Sequence, residues 1–132
     1  MRYALVPHEA DWREARVFRD GWELNHPLVC RAALPHPGSL PGRWGLLTVS
    51  HPNVVVSSLK PTRAGDVALR LYKAAGRPAA AVTVKLTARL RAARAANLLE
   101  DAGADLVIQD NGVQFDLHPF EIKTVELRVG IE

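Results

Sequence analysis

The amino-acid sequence predicts an all-β protein, an antiparallel β-sandwich with one short helix near its N-terminus. Two observations lead to this fold class. Apolar and polar residues alternate with a period of two through most of the chain, and Pro, Gly and Asn separate the alternating runs at even intervals. The 132 residues are enough for one hydrophobic core but not for two. We therefore expect residues 1–132 to form a single compact unit.

The first part of the chain contains the predicted helix. Residues 2–6 alternate as a short strand would, and this run ends at Pro7. From Asp11 the apolar residues recur at helical spacing, and Asp11 with Glu14 has the form of an N-cap and its partner three residues on. We expect a short helix over about residues 12–24.

Most of the predicted strands follow from residue 28 onward. Residues 28–33 are predicted to form a strand, whereas residues 35–42 contain too much Pro and Gly for a helix or a strand and are predicted to form a loop. Further strands are predicted over residues 46–50, 54–59, 66–72, 79–86, 113–117 and 122–129. Their even spacing is typical of an immunoglobulin-like sandwich.

Two segments between these strands have special patterns. Residues 87–101 are rich in Ala, Arg and Leu, which favour helices, but their apolar residues make no clean helical stripe. Helix and strand both stay open for this segment, with the extended form favoured. Ahead of residues 113–117, the sequence Asp110-Asn111-Gly112 indicates a hairpin, because Asn-Gly accepts the positive φ angles of a type I′ turn.

Charge and cysteine content limit the classes of partner. The net charge is only +3, and the densest basic run, residues 89–94, contains no aromatic residue for base stacking and lies in no nucleic-acid-binding motif. We expect no nucleic-acid partner, and binding through residues 89–94 is only a third, less favoured alternative. No apolar run is long enough for a membrane-spanning helix, so we expect no membrane partner. Cys30 lies in an apolar run, which predicts a buried, inert thiol. It is the single cysteine of the sequence, so no internal disulfide is possible, which favours a reducing, cytoplasmic location.

No residue pattern points to catalysis or to metal binding. Four of the five histidines precede proline, which disfavours helical backbone, so these four cannot form a pair of metal ligands one helical turn apart. His8, beside Glu9 and near Asp11, is interpreted as a turn residue. The serines lie in no Gly-x-Ser-x-Gly elbow, and Cys30 lacks an activating neighbour. We predict no catalytic residue, no metal site and no cofactor in this chain.

Aromatic side chains offer one candidate binding site. Trp12, Trp22, Trp44 and Tyr72 are residues of the kind that stack on sugar rings. Trp12 and Trp22 lie on the helix face that we expect to be buried. Trp44, in a glycine-flanked loop, and Tyr72 are therefore the candidate carbohydrate-binding residues.

Six sequence segments, which span nearly the whole chain, carry a family resemblance. They are residues 3–12, 23–28, 53–60, 69–72, 97–100 and 119–124, the last two reading Asn97-Leu98-Leu99-Glu100 and Pro119-Phe120-Glu121-Ile122-Lys123-Thr124. In this order they resemble the C-terminal region of glycoside hydrolase family 38 alpha-mannosidases. The resemblance implies that residues 1–28 correspond to the end of a large β-sandwich domain of such an enzyme, and residues 46–132 to its small C-terminal β-sandwich.

The resemblance also implies a role without catalysis. In that family the nucleophilic aspartate, the acid/base and the zinc ligands belong to an N-terminal domain, so no catalytic residue and no zinc ligand is carried over to this chain. We expect a noncatalytic domain that exposes an apolar surface and packs against the remainder of an α-mannosidase chain or forms a homo-oligomer. The alternative is a free-standing carbohydrate-binding module that binds mannosides through Trp44 and Tyr72.

Two of the resembling segments have expected structural roles. In residues 119–124 we expect Phe120 and Ile122 to point to one face of the last strand, and Glu121 and Lys123 to form its polar outer face. Asn53, which precedes a run of valines, is expected to cap a turn by bonding its own backbone.

Overall fold

Two antiparallel β-sheets and one α-helix form the regular structure of the computed structural model, which describes residues 3–130. The helix, α1, spans Val17–Asn25. The strands within the described residues are β1 Leu47–Val49, β2 Val54–Pro61, β3 Val67–Lys73, β4 Ala79–Leu86, β5 Arg89–Ala96, β6 Ala102–Asp105, β7 Ile108–Gln109, β8 Gly112–Leu117 and β9 Ile122–Gly130.

The chain divides into two compact units, Met1–Gly42 and Arg43–Glu132. The first unit contains α1 and the second contains all the strands of the described residues. The sequence predicts one compact unit, with its small sandwich beginning at residue 46. The boundary falls at the end of the predicted loop over residues 35–42, where Pro and Gly prevent a continuous element.

The second unit is a β-sandwich. One sheet has the strand order β1-β4-β8-β7 and the other the order β2-β3-β9-β5-β6. We call them the four-stranded and the five-stranded sheet. All of their strand pairings are antiparallel. The predicted fold class, an all-β antiparallel sandwich with one short helix near the N-terminus, is confirmed.

An apolar core lies between the two sheets. It forms because side chains on each strand alternate between the core and the opposite side of the sheet, as over residues 113–117 of β8, where every second residue is buried. Both sheets contribute to the core, whose buried members are Val54, Leu69, Leu71, Ala79, Val82, Val84, Leu90, Ala93, Val113, Phe115, Leu117, Val125 and Leu127.

The predicted hairpin precedes β8, but its turn lies one residue earlier than Asn-Gly suggests. Asp110 and Asn111 have φ angles of 50° and 59°, and Gln109 pairs with Gly112. Gly112 is instead required by close packing, because a Cβ on it would lie 2.7 Å from the carbonyl oxygen of Val84. The Asn111 amide donates to the carbonyls of Leu86 and Ala88 at 2.7 and 3.0 Å, so it also fixes the β4–β5 connection.

Pairing with neighbouring strands determines the secondary structure of the segments for which sequence periodicity is ambiguous or weak. Within residues 87–101 the favoured extended form is confirmed for Arg89–Ala96, which is β5 and pairs with β9, whereas residues 97–101 form a loop. The short strands β6 and β7 were not predicted. Their sequences carry little alternation, and they form as edge strands beside β5 and β8.

The first unit differs most from the sequence prediction. Residues 3–6 and 28–33 are irregular, so the strands predicted over residues 2–6 and 28–33 are wrong for the part that the structure describes. A strand needs a partner, and within residues 3–130 neither segment pairs with one. Cys30 is exposed, which corrects the expectation of a buried thiol.

The helix also begins later than predicted. Asp11 accepts the backbone N–H groups of Arg13 and Glu14 at 2.6 and 3.1 Å, as an N-cap would. Arg16 then adopts a left-handed conformation with φ 58°, which interrupts the helix before Val17. None of the residues of α1 is buried and Trp12 is exposed, so the predicted burial of Trp12 and Trp22 on a core-facing helix surface is wrong.

Candidate functional site

The five-stranded sheet turns a partly apolar side away from the core. Residues that pair across neighbouring strands point to the same side of a sheet. Tyr72 pairs with Val55 and Ile122, and Arg70 pairs with Thr124. These pairs form two adjacent rows, about 7 Å apart along the strands, that alternate with buried core residues. We call this side of the sheet the outer face.

The β5–β6 loop, residues 97–101, lies on the outer face and is attached to it by Arg70. The Arg70 guanidinium donates to the carbonyl of Leu98 at 2.9 Å and to the Thr124 hydroxyl at 3.1 Å. The Glu100 carboxylate forms ion pairs with Lys60 at 2.8 Å and with Arg70 at 3.6 Å. The loop therefore reaches from β5 across β9 to β3 and β2, and Thr124 beneath it is buried although it points outward.

Asn97 fixes the shape of this loop from within. Its side-chain oxygen accepts the backbone N–H groups of Leu99 and Asp101 at 2.8 and 3.0 Å, and its amide donates to the Asp101 carboxylate at 2.9 Å. Glu100 has a φ of 71°, which reverses the chain direction. The tip of this braced loop presents two leucines to solvent, Leu98 at 60% and Leu99 at 84% exposure.

The turn between β8 and β9 adds further exposed apolar side chains. Phe120 adopts a φ of 59° in the turn and is 61% exposed, and Ile122 at the start of β9 is 54% exposed. Glu121 and Lys123 point the other way and are half-buried. The expected polar outer face of residues 119–124 is therefore wrong: the apolar members face solvent and the charged members face inward.

The Glu121 carboxylate fixes this turn. Its oxygens accept the backbone N–H of His118 at 2.7 Å and pair with the Lys123 ammonium at 3.3 Å. Partial burial by itself raises the pKa of Glu121, but the hydrogen bond from His118 and the charge of Lys123 outweigh it, so the pKa lies below its ordinary value. Glu121 thus acts as a structural brace.

A second carboxylate, Asp66, closes the far end of β9. The Arg128 guanidinium donates to both Asp66 oxygens at 2.9 Å, which is a bidentate pair. This hydrogen bonding lowers the pKa of Asp66 despite the opposing effect of its burial. Asp66, Glu100 and Glu121 are therefore all engaged by cationic side chains of the same chain.

Lys73 is the most unusual charged residue of the sandwich. It lies at the end of β3 with only 1% of its surface exposed, and its ammonium donates to the Asn53 side-chain oxygen at 3.2 Å. Burial lowers the pKa of Lys73. Asn53 therefore holds Lys73 through its side chain rather than capping its own backbone, which corrects the sequence expectation. Nothing in the local sequence around Asn53 indicates this contact.

The structure does not bring the two predicted carbohydrate-binding residues together. Trp44 is 57% exposed and lies two residues before Leu46, which lines an open apolar groove of about 240 Å³ together with Val67. Tyr72, half-exposed on the outer face, lies five residues beyond Val67 on the same strand, a span of about 17 Å. Each therefore stays a separate predicted contact.

Neither a metal-binding cluster nor a membrane-spanning helix is found among the described residues. Within residues 3–130, no three His, Cys, Asp or Glu side chains cluster so that they could hold a metal ion. No helix in that range is long and apolar enough to cross a membrane. The basic run over residues 89–94 forms much of β5, where Arg94 lies 3.6 Å from Asp105.

Comparison with known proteins gives the family. Residues 53–125 match the Glycosyl hydrolases family 38 C-terminal beta sandwich domain, which is more than half of the chain. The chain is also 33% identical to Alpha-mannosidase 2C1 of Mus musculus and 31% identical to Alpha-mannosidase 2C1 of Homo sapiens, in each case over 95% of its own length. It spans 12% of the length of each of these relatives. The chain therefore belongs to the glycosyl hydrolase family 38 C-terminal β-sandwich domains.

Proposed function

We propose that this chain is a noncatalytic C-terminal β-sandwich domain of an α-mannosidase-like glycoside hydrolase, and that it packs against the rest of the enzyme. The observation that carries the proposal is the match of nearly the whole chain to 12% of each α-mannosidase relative. A segment of that size is one domain among several, and the matched domain is a β-sandwich.

The arrangement of the carboxylates supports a structural role. Glycoside hydrolysis requires a pair of carboxylates free to act on opposite sides of the scissile bond. Asp66 and Glu121 instead accept hydrogen bonds that hold strand ends and turns, and Glu100 holds a loop on the outer face through two cations. These acids stabilise the fold, which is the use expected of a scaffold.

Hydrolysis of an aryl α-mannoside tests this proposal. We define a chimera as mouse α-mannosidase 2C1 in which the region matched by this chain is replaced by residues 1–132, and a truncated enzyme as the same protein without that region. We expect no hydrolysis by the chain alone and hydrolysis by the chimera. Turnover by the isolated chain, abolished by a chelator, would mean that the chain has its own active site.

The second candidate function is carbohydrate binding, which the exposure of Trp44 favours. An exposed indole can stack on a pyranose ring. Titration of the chain with methyl α-mannoside would then quench tryptophan fluorescence in a saturable way, and Trp44→Ala would abolish the quenching while Trp12→Ala would not. If the unaltered chain shows no saturable response, the binding-module hypothesis is wrong and Trp44 has no such role.

We also propose a cytoplasmic location and a part in carbohydrate metabolism. Cys30 is exposed and forms no disulfide, which suits a reducing compartment. Any zinc used in catalysis would be bound by the remainder of the enzyme and not by this chain. Localisation of a fluorescent fusion of the full chain tests the compartment.

A further inference from the structure

An apolar patch lies at one end of the outer face. We call it the docking patch and define it as Tyr72, Leu98, Leu99, Phe120 and Ile122. In a sheet with one solvated face, polar residues normally occupy the positions that point away from the core. Here the pattern is inverted at residues 120–123, where the apolar side chains point to solvent and the charged ones are half-buried. This inversion indicates a surface that is covered in its working state.

The patch is held rigidly before anything binds. Arg70 and Glu100 attach the loop to the sheet, and Asn97 fixes the backbone around Leu98 and Leu99. Exposed leucines on a mobile loop would lose conformational freedom on binding, and that loss opposes association. Bracing from within the chain removes most of that cost, so the two leucines are presented as preformed contacts.

The charges around the patch select an apolar partner. Lys60 and Arg70 are paired with Glu100, and Lys123 is paired with Glu121. Each of these cations therefore already has a carboxylate partner within this chain, although Lys60 and Arg70 share one. A nucleic acid or a strongly acidic surface would have to compete with these internal pairs, whereas an apolar protein surface would not.

The size of the patch favours another domain of the same polypeptide as the partner over a second copy of this chain. A stable dimer of separate chains usually buries about 20–30 residues on each side, and the docking patch offers five. Two domains of one polypeptide need much less contact, because the link between them gives a high effective concentration. In both relatives the region that matches this chain is part of one long polypeptide.

We propose that the docking patch is the surface through which this domain packs on the remainder of an α-mannosidase polypeptide, with Leu98 and Leu99 inserted into an apolar recess of that partner. The inference rests on the proposed function and adds the surface and its chemistry. It assigns a role to the braced loop over residues 97–101, which the hydrophobic core does not require.

Hydroxyl-radical footprinting of the chimera and of the isolated chain tests this assignment. Labelling at Leu98, Leu99 and Ile122 should fall about tenfold in the chimera, since the centre of an interface is packed as tightly as a protein interior. Val107, which is 82% exposed but outside the patch, is the internal control and should keep its labelling. If these three patch residues stay as reactive as in the isolated chain while another surface is protected, the assignment is wrong and the proposed function survives.

Charge-introducing variants give a second, independent measurement. Leu99→Asp should lower the melting temperature of the chimera and leave that of the isolated chain unchanged, whereas Val107→Asp should change neither. Equal effects of the two variants on the chimera would refute the docking patch. If the isolated chain dimerises in sedimentation and Leu99→Asp dissolves the dimer, the patch binds a second copy and the assignment is again wrong. A chimera in which no residue of the chain is protected would refute the proposed function itself.

Discussion

Replacement of the buried Lys73 by methionine should stabilise the sandwich. The lysine stem is fully buried, and methionine of similar length retains its packing. The ammonium, in contrast, is held by the Asn53 side chain, and among the described residues no carboxylate pairs with it. An uncompensated buried charge opposes folding, and its replacement by an apolar group is often stabilising by about 1–4 kcal/mol.

The expected change in the free energy of unfolding follows from the ammonium group and the methylene stem of Lys73, taken separately. Lys73→Met removes the desolvated ammonium and leaves the Asn53 oxygen to water, so we expect a net gain of about 1–2 kcal/mol in the free energy of unfolding. Lys73→Ala also removes about three buried methylene groups, at roughly 0.8 kcal/mol each with a cavity in addition. Lys73→Ala also removes the buried ammonium, which offsets part of this loss, so we expect it to be destabilising by about 1–2 kcal/mol in total.

The pH dependence provides the sharper test. Because burial lowers the pKa of Lys73 in the folded state, the unfolded chain binds more protons as pH rises from the folded pKa towards the ordinary value of 10.5. The stability contribution of this lysine therefore increases with pH over that window. The advantage of Lys73→Met should shrink between pH 7 and pH 10.

Urea denaturation of the full chain at both pH values measures these differences. Lys85→Met is the matched control, because Lys85 lies exposed on β4 and its replacement should change stability by less than about 0.5 kcal/mol at either pH. A destabilising Lys73→Met, or a gain that is the same at pH 7 and pH 10, would refute the view that burial makes this ammonium costly.

Two further variants test the braces of the fold. Asp66→Asn breaks the bidentate pair with Arg128 and should cost about 1 kcal/mol of stability at pH 7, since Arg128 is half-exposed. The pKa of Asp66 is lowered in the folded state. The stability that this carboxylate contributes is therefore present above its ordinary pKa of 3.8 and is lost as pH falls through the folded value. Gly112→Ala places a Cβ 2.7 Å from the carbonyl oxygen of Val84 and should cost about 1–3 kcal/mol, whereas Gly21→Ala, with open space around it, should not destabilise the chain. Urea denaturation between pH 2 and pH 7 tests Asp66→Asn, and the prediction is wrong if this variant loses stability at low pH in the same way as the unaltered chain. Urea denaturation at pH 7 tests Gly112→Ala, and equal effects of Gly112→Ala and Gly21→Ala would contradict the role given to Gly112.

The strands that could be predicted from sequence are those whose signals are local. Alternation and flanking turn residues mark β2, β3, β4, β8 and β9, and the structure places strands there. Residues 3–6 and 28–33 carry similar apolar runs but are irregular, because a strand also depends on a partner, and no local pattern supplies one. In β6 and β7 the alternation is weak, but each has a partner strand, β5 and β8 respectively, and forms beside it.

The candidate site was harder to predict than the fold. The contact of Glu100 with Lys60 joins residues that are far apart in sequence, and the buried Lys73 ammonium donates to Asn53, which lies in the turn before β2. Alternation places Glu121 and Lys123 opposite Phe120 and Ile122, but it does not indicate that the charged pair is the one that faces inward. These features depend on loop conformation and on long-range pairing, so sequence periodicity alone does not predict them.

The melting temperature of the chimera, compared with that of the truncated mouse enzyme, is the most direct test of the central claim that this domain acts by packing. A docked β-sandwich stabilises the protein to which it is joined, so we predict that the chimera melts several degrees higher than the truncated enzyme. If the chimera instead shows two independent transitions, one at the melting temperature of the isolated chain and one at that of the truncated enzyme, the domain does not pack against the rest and the account is wrong.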